Sequence, residues 1–116
     1  MIRKTDHRIL QMMLEKTVRL MEIYKNHSKN EIINDYTLSD SIQYEFEKLY
    51  EDATRLSMDF ISVYGNTLHI DELRGIRNRV AHNYEKVSIN ILLDTIENDI
   101  PLLNQNIQNI IADFEK

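Results

Sequence analysis

The chain has 116 residues, a formal net charge of -5 and no cysteine. Single domains usually contain about 100–150 residues, so the length predicts one domain over residues 1–116 with one core. The acidic balance argues against sequence-independent coating of nucleic acid, which needs a broad cationic surface, and any RNA contact must therefore be local. The lack of cysteine excludes disulfide frameworks, zinc–thiolate sites and thiol catalysis, and it fits a reducing compartment such as the cytoplasm.

The composition predicts an all-α fold. Two glycines and one proline leave few turn formers, and the chain has no alternating β-branched runs of the kind that mark strands. No apolar stretch approaches the roughly 18 residues needed to cross a bilayer, and no cationic leader with an apolar run stands at the N-terminus. We therefore expect a soluble protein without a membrane partner.

The first predicted helix runs from about Asp6 to Tyr24. Its apolar positions step by three and four, which defines one face of a helix. That face contains Leu10, Met13, Thr17, Leu20 and Tyr24. Residues 26–37 are mostly polar and predict an irregular connection, with a short helical turn near Glu31 as the alternative.

The second predicted helix starts at Thr37, because Thr37 and Asp40 resemble a capping box. It extends to Tyr64 with a possible break around Ser57, and the pair Gly65–Asn66 can then adopt left-handed conformations that end it. Its stripe repeats by four and three. The stripe contains Ile42, Phe46, Leu49, Ala53, Leu56 and Phe60.

The third predicted helix begins at Asp71 and Glu72, whose charges favour the positive end of a helix dipole. Its apolar side contains Leu73, Val80 and Tyr84. Ser88 is the expected cap of the fourth helix, in which Pro101 predicts a kink or a break. The fourth stripe contains Ile89, Leu93, Ile96, Ile100, Leu103, Ile107, Ile110 and Phe114.

Arg77 and His82 lie on different sides of the third helix. With Leu73 at zero on a helical wheel, Arg77 falls about 40° away, on the flank of the apolar stripe, and His82 about 180° away. Asn78 is one turn before His82, at contact spacing. The two residues differ by about 140°, so one straight helix cannot present both to one phosphate. Either the helix distorts, or two copies pool both residues across a two-fold axis, which we favour.

On composition alone, histidine and arginine side chains at such positions usually have no catalytic or binding role. A lone histidine on a polar helix face is most often solvated, and a helical arginine most often extends to solvent or pairs with glutamate. His7, His27 and His69 are far apart and lack zinc-like spacing, so no metal site is predicted. No glycine-rich phosphate loop is present either.

Residues 77–84 read Arg-Asn-Arg-Val-Ala-His-Asn-Tyr. This arrangement resembles the signature of HEPN ribonucleases of the HepT type, at Arg77, Asn78, His82 and Tyr84. Gly75 precedes the motif as it does in many relatives, and residues 99–103 resemble the family's Asp-Leu-Pro-x-Leu segment. The resemblance implies an antiparallel four- to five-helix HEPN-type bundle, with the last helix kinked or broken near Pro101.

The resemblance also implies metal-independent RNA cleavage without a cofactor. His82 would help to deprotonate a ribose 2′-hydroxyl, Arg77 would stabilise charge on the attacked phosphate, and Asn78 would support the site. Histidine titrates near neutral pH, and guanidinium binds phosphate through a planar, permanently charged fork. The expected RNA-binding cations are Arg74, Arg79 and Lys86.

The family context implies a toxin of a type VII-like toxin–antitoxin pair, acting as a homodimer on RNA rather than DNA. In HepT systems a minimal nucleotidyltransferase antitoxin transfers AMP to the tyrosine that matches Tyr84, which would add bulk and negative charge beside the cleft. Core packing is the alternative role of this residue. A non-catalytic HEPN subunit that binds a nucleotidyltransferase or its substrate is the alternative function, and a purely structural helical dimer is a third.

Overall fold

The computed structural model describes residues 3–75 and 86–115. Every regular element in these two ranges is a helix, which confirms the predicted all-α class. The helices are α1 (Lys4–Asn26), α2 (Lys29–Asn34), α3 (Tyr36–Thr54), α4 (Met58–Tyr64), α6 (Lys86–Asn98) and α7 (Ile100–Phe114). The label α5 denotes the helical residues 70–75, at the end of the first range. The buried apolar side chains of these helices form one cluster.

Helix α1 is the central element, because it packs against α3, α6 and α7. Its predicted face is confirmed: Leu10, Met13, Thr17 and Leu20 are fully buried, and Tyr24 is half-buried. Removing these apolar surfaces from water is the main stabilising term, at about 25 cal/mol for each Å².

Helix α3 runs antiparallel to α1. Near the start of α1, the buried Asp6 carboxylate accepts hydrogen bonds from the Ser57 amide at 2.8 Å and the Ser57 hydroxyl at 2.7 Å. Further along α1, Arg19 lies 3.6 Å from the Glu45 carboxylate of α3. The order of these contacts sets the direction of α3 and ties the chain after α3 to the first turn of α1.

Two buried polar pairs fix the register of α1 against its neighbours. Lys16 Nζ lies 2.8 Å from the Asp52 carboxylate of α3, and both side chains are largely shielded from water. On the other side, Asn104 of α7 donates to the Thr17 hydroxyl at 2.9 Å. A sliding movement of either helix would leave buried polar groups without partners, which costs more than a good pair contributes.

The connection between α1 and α3 contains the short helix α2, so the alternative near Glu31 is confirmed. A capping box starts it: Ser28 Oγ accepts from the Glu31 amide, and the Glu31 carboxylate accepts from the Ser28 amide. The hydrogen bond from Ser28 holds the pKa of Glu31 below its usual value. The box predicted at Thr37 is wrong, because Asp35 caps α3 by accepting from the Thr37 and Leu38 amides.

The possible break at Ser57 is confirmed, since α3 ends at Thr54 and Ser57 caps α4 through the Phe60 amide. The left-handed turn predicted at Gly65–Asn66 is wrong: Gly65 has φ -56° and continues the right-handed turn. A Cβ on Gly65 would lie 2.6 Å from the Ile61 carbonyl oxygen, so close packing requires the glycine. The left-handed residue is instead His69, with φ 53°.

Ser88 is the third residue of the described helix α6 and therefore lies inside it, so the prediction that Ser88 caps this helix is wrong. The predicted stripe of the fourth helix is confirmed from Ile89 to Ile110, all of it buried, with Phe114 half-buried. The stripe spans two helices, separated at Asp99, and Pro101 lies in the first turn of α7. Proline suits that position because first-turn amides lack helical acceptors. The bend itself stays a prediction.

The Asp6 contact predicts a stability difference. Asp6→Ala removes two hydrogen bonds to a charged acceptor and leaves the Ser57 amide unpaired, so the free energy of unfolding should fall by about 2–3 kcal/mol. The matched control is Asp59→Ala, which removes an exposed ion pair to Arg3 and should cost at most about 1 kcal/mol. Urea denaturation followed by far-UV circular dichroism measures both. Equal losses in the two variants would show that Asp6 does not anchor the chain after α3.

Candidate functional site

Most of the predicted site lies outside the described residues. Arg77, Asn78, Arg79, His82 and Tyr84 all fall between the two described ranges, so their predicted roles stay predictions. Of the predicted RNA-binding cations, Arg74 is exposed on α5, and Lys86 is the first residue of α6. The structure therefore defines the two flanks of the predicted site, which are the described residues up to Gly75 and those from Lys86 onward.

The flank before the motif is anchored in the core. Leu68 is completely buried, and Ile70 and Leu73 are 8% and 6% exposed. Asn106 of α7 also donates to the Thr67 carbonyl oxygen at 3.1 Å, which holds the turn before α5 against α7. Leu73 stands four residues before Arg77, so the chain is held in the core shortly before the motif begins.

The flank after the motif is anchored as well. Ile89, the fourth residue of α6, is 4% exposed, and Leu92 and Leu93 are completely buried. Helix α6 packs against α1, α2, α3 and α7. Residues 76–85 thus join two elements that belong to the same core.

The described charges at this flank are mostly acidic. Asp71 and Glu72 are exposed in the first turn of α5, where they favour the positive end of the helix dipole. Glu72 Oε1 lies 3.6 Å from His69 Nδ1. Arg74 adds one exposed cation. A polyanion would therefore meet repulsion on α5 as well as attraction, consistent with local rather than broad RNA contact.

Gly75 has no conformational or packing requirement within the described chain. Its φ is not positive, and a Cβ built on it would meet no atom of the described residues within 4 Å. Sequence reasoning singled out Gly75 by resemblance alone.

A cavity that the sequence analysis missed lies beside α5. It has a volume of about 260 Å³ and separates the turn before α5 from the junction of α6 and α7. The residues that line it are Leu68, His69, Glu72, Leu73, Thr95, Asp99, Ile100, Leu102 and Leu103. No local pattern predicts this set, because it comes from two stretches that only the tertiary fold brings together.

The histidines that sequence reasoning considered as metal ligands have other neighbours. His7 stacks on Phe114 with ring centroids 4.6 Å apart, and His27 Nδ1 lies 3.5 Å from Glu31. Within residues 3–75 and 86–115, no three metal-ligating side chains are grouped to hold a metal ion. In the same ranges, no helix combines the length and apolar character needed to cross a membrane.

Comparison with known proteins adds the family. A family model described as HepT-like, ribonuclease HepT-like, matches residues 13–110. No solved structure matches the chain. The matched range contains most of α1, the two flanks, the motif at residues 77–84 and most of α7. The chain therefore belongs to the HepT-like ribonuclease family.

Proposed function

We propose that this protein is a metal-independent RNA endonuclease and the toxin of a type VII-like HEPN/nucleotidyltransferase pair. The observation that carries the proposal is the family match over residues 13–110, which contains Arg77, Asn78, His82 and Tyr84 at the spacing of the family signature. The chemistry of these side chains suits phosphodiester cleavage, and it needs no metal ligand or cofactor. The absence of cysteine fits action in the reducing cytoplasm.

In the proposed reaction, His82 accepts the proton of a ribose 2′-hydroxyl as that oxygen attacks the adjacent phosphorus. The bond from phosphorus to the 5′-oxygen breaks, and the leaving oxygen takes a proton from solvent water, which leaves a 2′,3′-cyclic phosphate and a 5′-hydroxyl. Arg77 stabilises the extra charge on the phosphoryl oxygens through its planar fork of donors. Asn78 orients the imidazole or contacts the phosphate, while Arg74, Arg79 and Lys86 attract the RNA backbone.

The proposed site is shared by two copies of the chain. Arg77 and His82 differ by about 140° on an ideal helix, so a two-fold axis offers a simple way to bring both to one phosphate.

The proposed regulator is a minimal nucleotidyltransferase antitoxin that transfers AMP to Tyr84. The added phosphate would place negative charge beside Arg77 and His82 and would repel the RNA backbone. The acidic residues Asp71 and Glu72 already lie exposed on α5, so a further negative charge would act in the same direction.

Cleavage assays test the catalytic residues. Wild-type protein should cleave RNA in the presence of EDTA and leave cyclic phosphate ends. His82→Ala should slow cleavage by about 10²–10⁴-fold, because general base catalysis contributes that much. Arg77→Ala should slow it by about 10²–10³-fold, as expected for a lost charge-stabilising donor. Intact RNA at high wild-type concentration would instead favour the non-catalytic HEPN subunit.

Mixing two inactive variants tests the shared site. In a dimer whose site takes Arg77 from one copy and His82 from the other, a mixed dimer of Arg77→Ala and His82→Ala contains one intact site. Random mixing should then restore about one quarter of wild-type activity, because half of the dimers are mixed and each has one of two sites. Each variant mixed with itself is the control. No recovery, although mass spectrometry detects mixed dimers, would place both residues in one copy.

Co-expression with a minimal nucleotidyltransferase of the HepT antitoxin type tests the proposed modification. The purified chain should gain the mass of one or more AMP units on Tyr84 and lose ribonuclease activity, because the new phosphate repels RNA. Tyr84→Phe should gain no mass and keep its activity in the presence of the enzyme. Exposed Tyr36, which is 88% accessible, is an internal control for nonspecific modification. AMP on Tyr36 but not on Tyr84 would contradict the assignment.

A further inference from the structure

We propose that the cavity between α5 and the α6–α7 junction binds one base of the RNA substrate and prefers bases that present an amino group. This inference rests on the proposed ribonuclease function, and it adds a source of sequence preference that the cleavage chemistry alone does not provide. RNA-binding proteins usually read single-stranded bases by stacking the ring, most often on aromatic side chains or arginine, and by forming hydrogen bonds to its edges.

The walls of the cavity suit the face of a planar ring. Leu68, Leu73, Ile100 and Leu103 are all nearly or completely buried and line it on several sides. Leu102 also lines it and keeps 52% of its surface exposed. An unstacked base that entered this space would cover apolar surface that now faces water, which is favourable for both partners.

Two carboxylates at the cavity have no hydrogen bond within the described chain. Asp99 occupies the N-cap position of α7, but its side chain does not cap the helix. The ion-pair distance of Glu72 within the described residues is 3.6 Å, from Oε1 to His69 Nδ1, which is too long for a hydrogen bond. The Thr95 hydroxyl, in contrast, already donates to the Ile91 carbonyl oxygen at 2.9 Å. The cavity therefore offers the carboxylates of Glu72 and Asp99 as hydrogen-bond acceptors.

The carboxylates of Glu72 and Asp99 determine which base the cavity prefers. An ionised carboxylate accepts hydrogen bonds and donates none, so it matches the amino groups of guanine, adenine and cytosine. Guanine fits best, because its ring N–H and amino group form two parallel donors that match two carboxylate oxygens. Uracil carries carbonyl oxygens at the matching positions, and these would face the negative charge.

His69 lies where it can contact the bound base. Its imidazole is half exposed beside the cavity, with 52% of the side chain accessible. The left-handed φ of 53° turns the chain sharply between buried Leu68 and Ile70, so the backbone stays in the core while His69 remains at the surface. A histidine ring can stack on a base or donate to its carbonyl oxygen.

Nucleotide binding tests the cavity directly. Guanosine monophosphate, added to wild-type protein with labelled methyl groups, should shift the NMR signals of Leu68, Leu73 and Leu103, and uridine monophosphate should not. The two nucleotides carry the same phosphate, so the difference reports the base. Glu72→Gln and Asp99→Asn should weaken guanosine monophosphate binding about tenfold or more. Equal shifts with both nucleotides, or none, would overturn the proposal, even if the protein cleaves RNA.

Cleavage of defined RNAs provides a second test, in which the variants should cleave guanosine-containing RNA more slowly but not uridine-only RNA. Neutralising Glu72 or Asp99 should lower kcat/KM about tenfold for RNAs with guanosine near the cut, while uridine-only RNA is cleaved as fast or faster. If the carboxylates only repel the RNA backbone, both variants should cleave all RNAs faster, which would overturn the proposal. Glu22→Gln and Asp40→Asn are matched controls, since both residues are exposed on α1 and α3, away from the cavity lining.

The oligomeric state separates a base pocket from a protein contact. Sedimentation of Glu72→Gln, Asp99→Asn and wild-type protein should give the same mass, because the proposal assigns these groups to RNA. A changed mass with unchanged base preference would assign the cavity to a contact between chains and overturn the inference. If the wild type cleaves no RNA, the mononucleotide titration still decides whether the cavity binds a base.

Discussion

The burial of α1 on several sides is the constraint on which the rest of the described structure depends. Helices α3, α6 and α7 all pack against it, and the polar pairs Lys16–Asp52 and Thr17–Asn104 allow one register on each side. Asp6 adds a third constraint, because it fixes Ser57 and hence the start of α4. Apolar burial supplies most of the free energy, and the buried polar contacts decide which packing is adopted.

This arrangement determines what surrounds the predicted catalytic segment. The core holds the chain at Leu73 on one side of residues 76–85 and at Ile89 on the other. Flanks of this kind suit a site whose reacting groups must be held in place, since a small misplacement greatly slows a reaction that depends on orientation. The family match covers both flanks and the segment between them.

The charge distribution also fits a nuclease that contacts RNA over a small area. The chain carries a net charge of -5, and carboxylates lie on α5 and at the start of α7. A strongly basic surface would bind any nucleic acid, whereas a few cations among carboxylates bind weakly unless the bases also fit. In the proposed arrangement Arg77 binds phosphate while Glu72 and Asp99 read a base, so affinity and preference come from different residues.

Periodicity in the sequence determined the helical class, the stripe of α1 and the stripe shared by α6 and α7, because burial of one helix face repeats every three or four residues. The motif likewise determined which chemistry to expect at Arg77 and His82. Only the tertiary structure decided that Asp35 rather than Thr37 caps α3, and that His69 rather than Gly65–Asn66 turns left-handed. Both depend on the direction in which the chain enters a helix. The cavity also depends on the tertiary structure, since Glu72 and Asp99 are far apart in sequence and only the fold brings both to its lining.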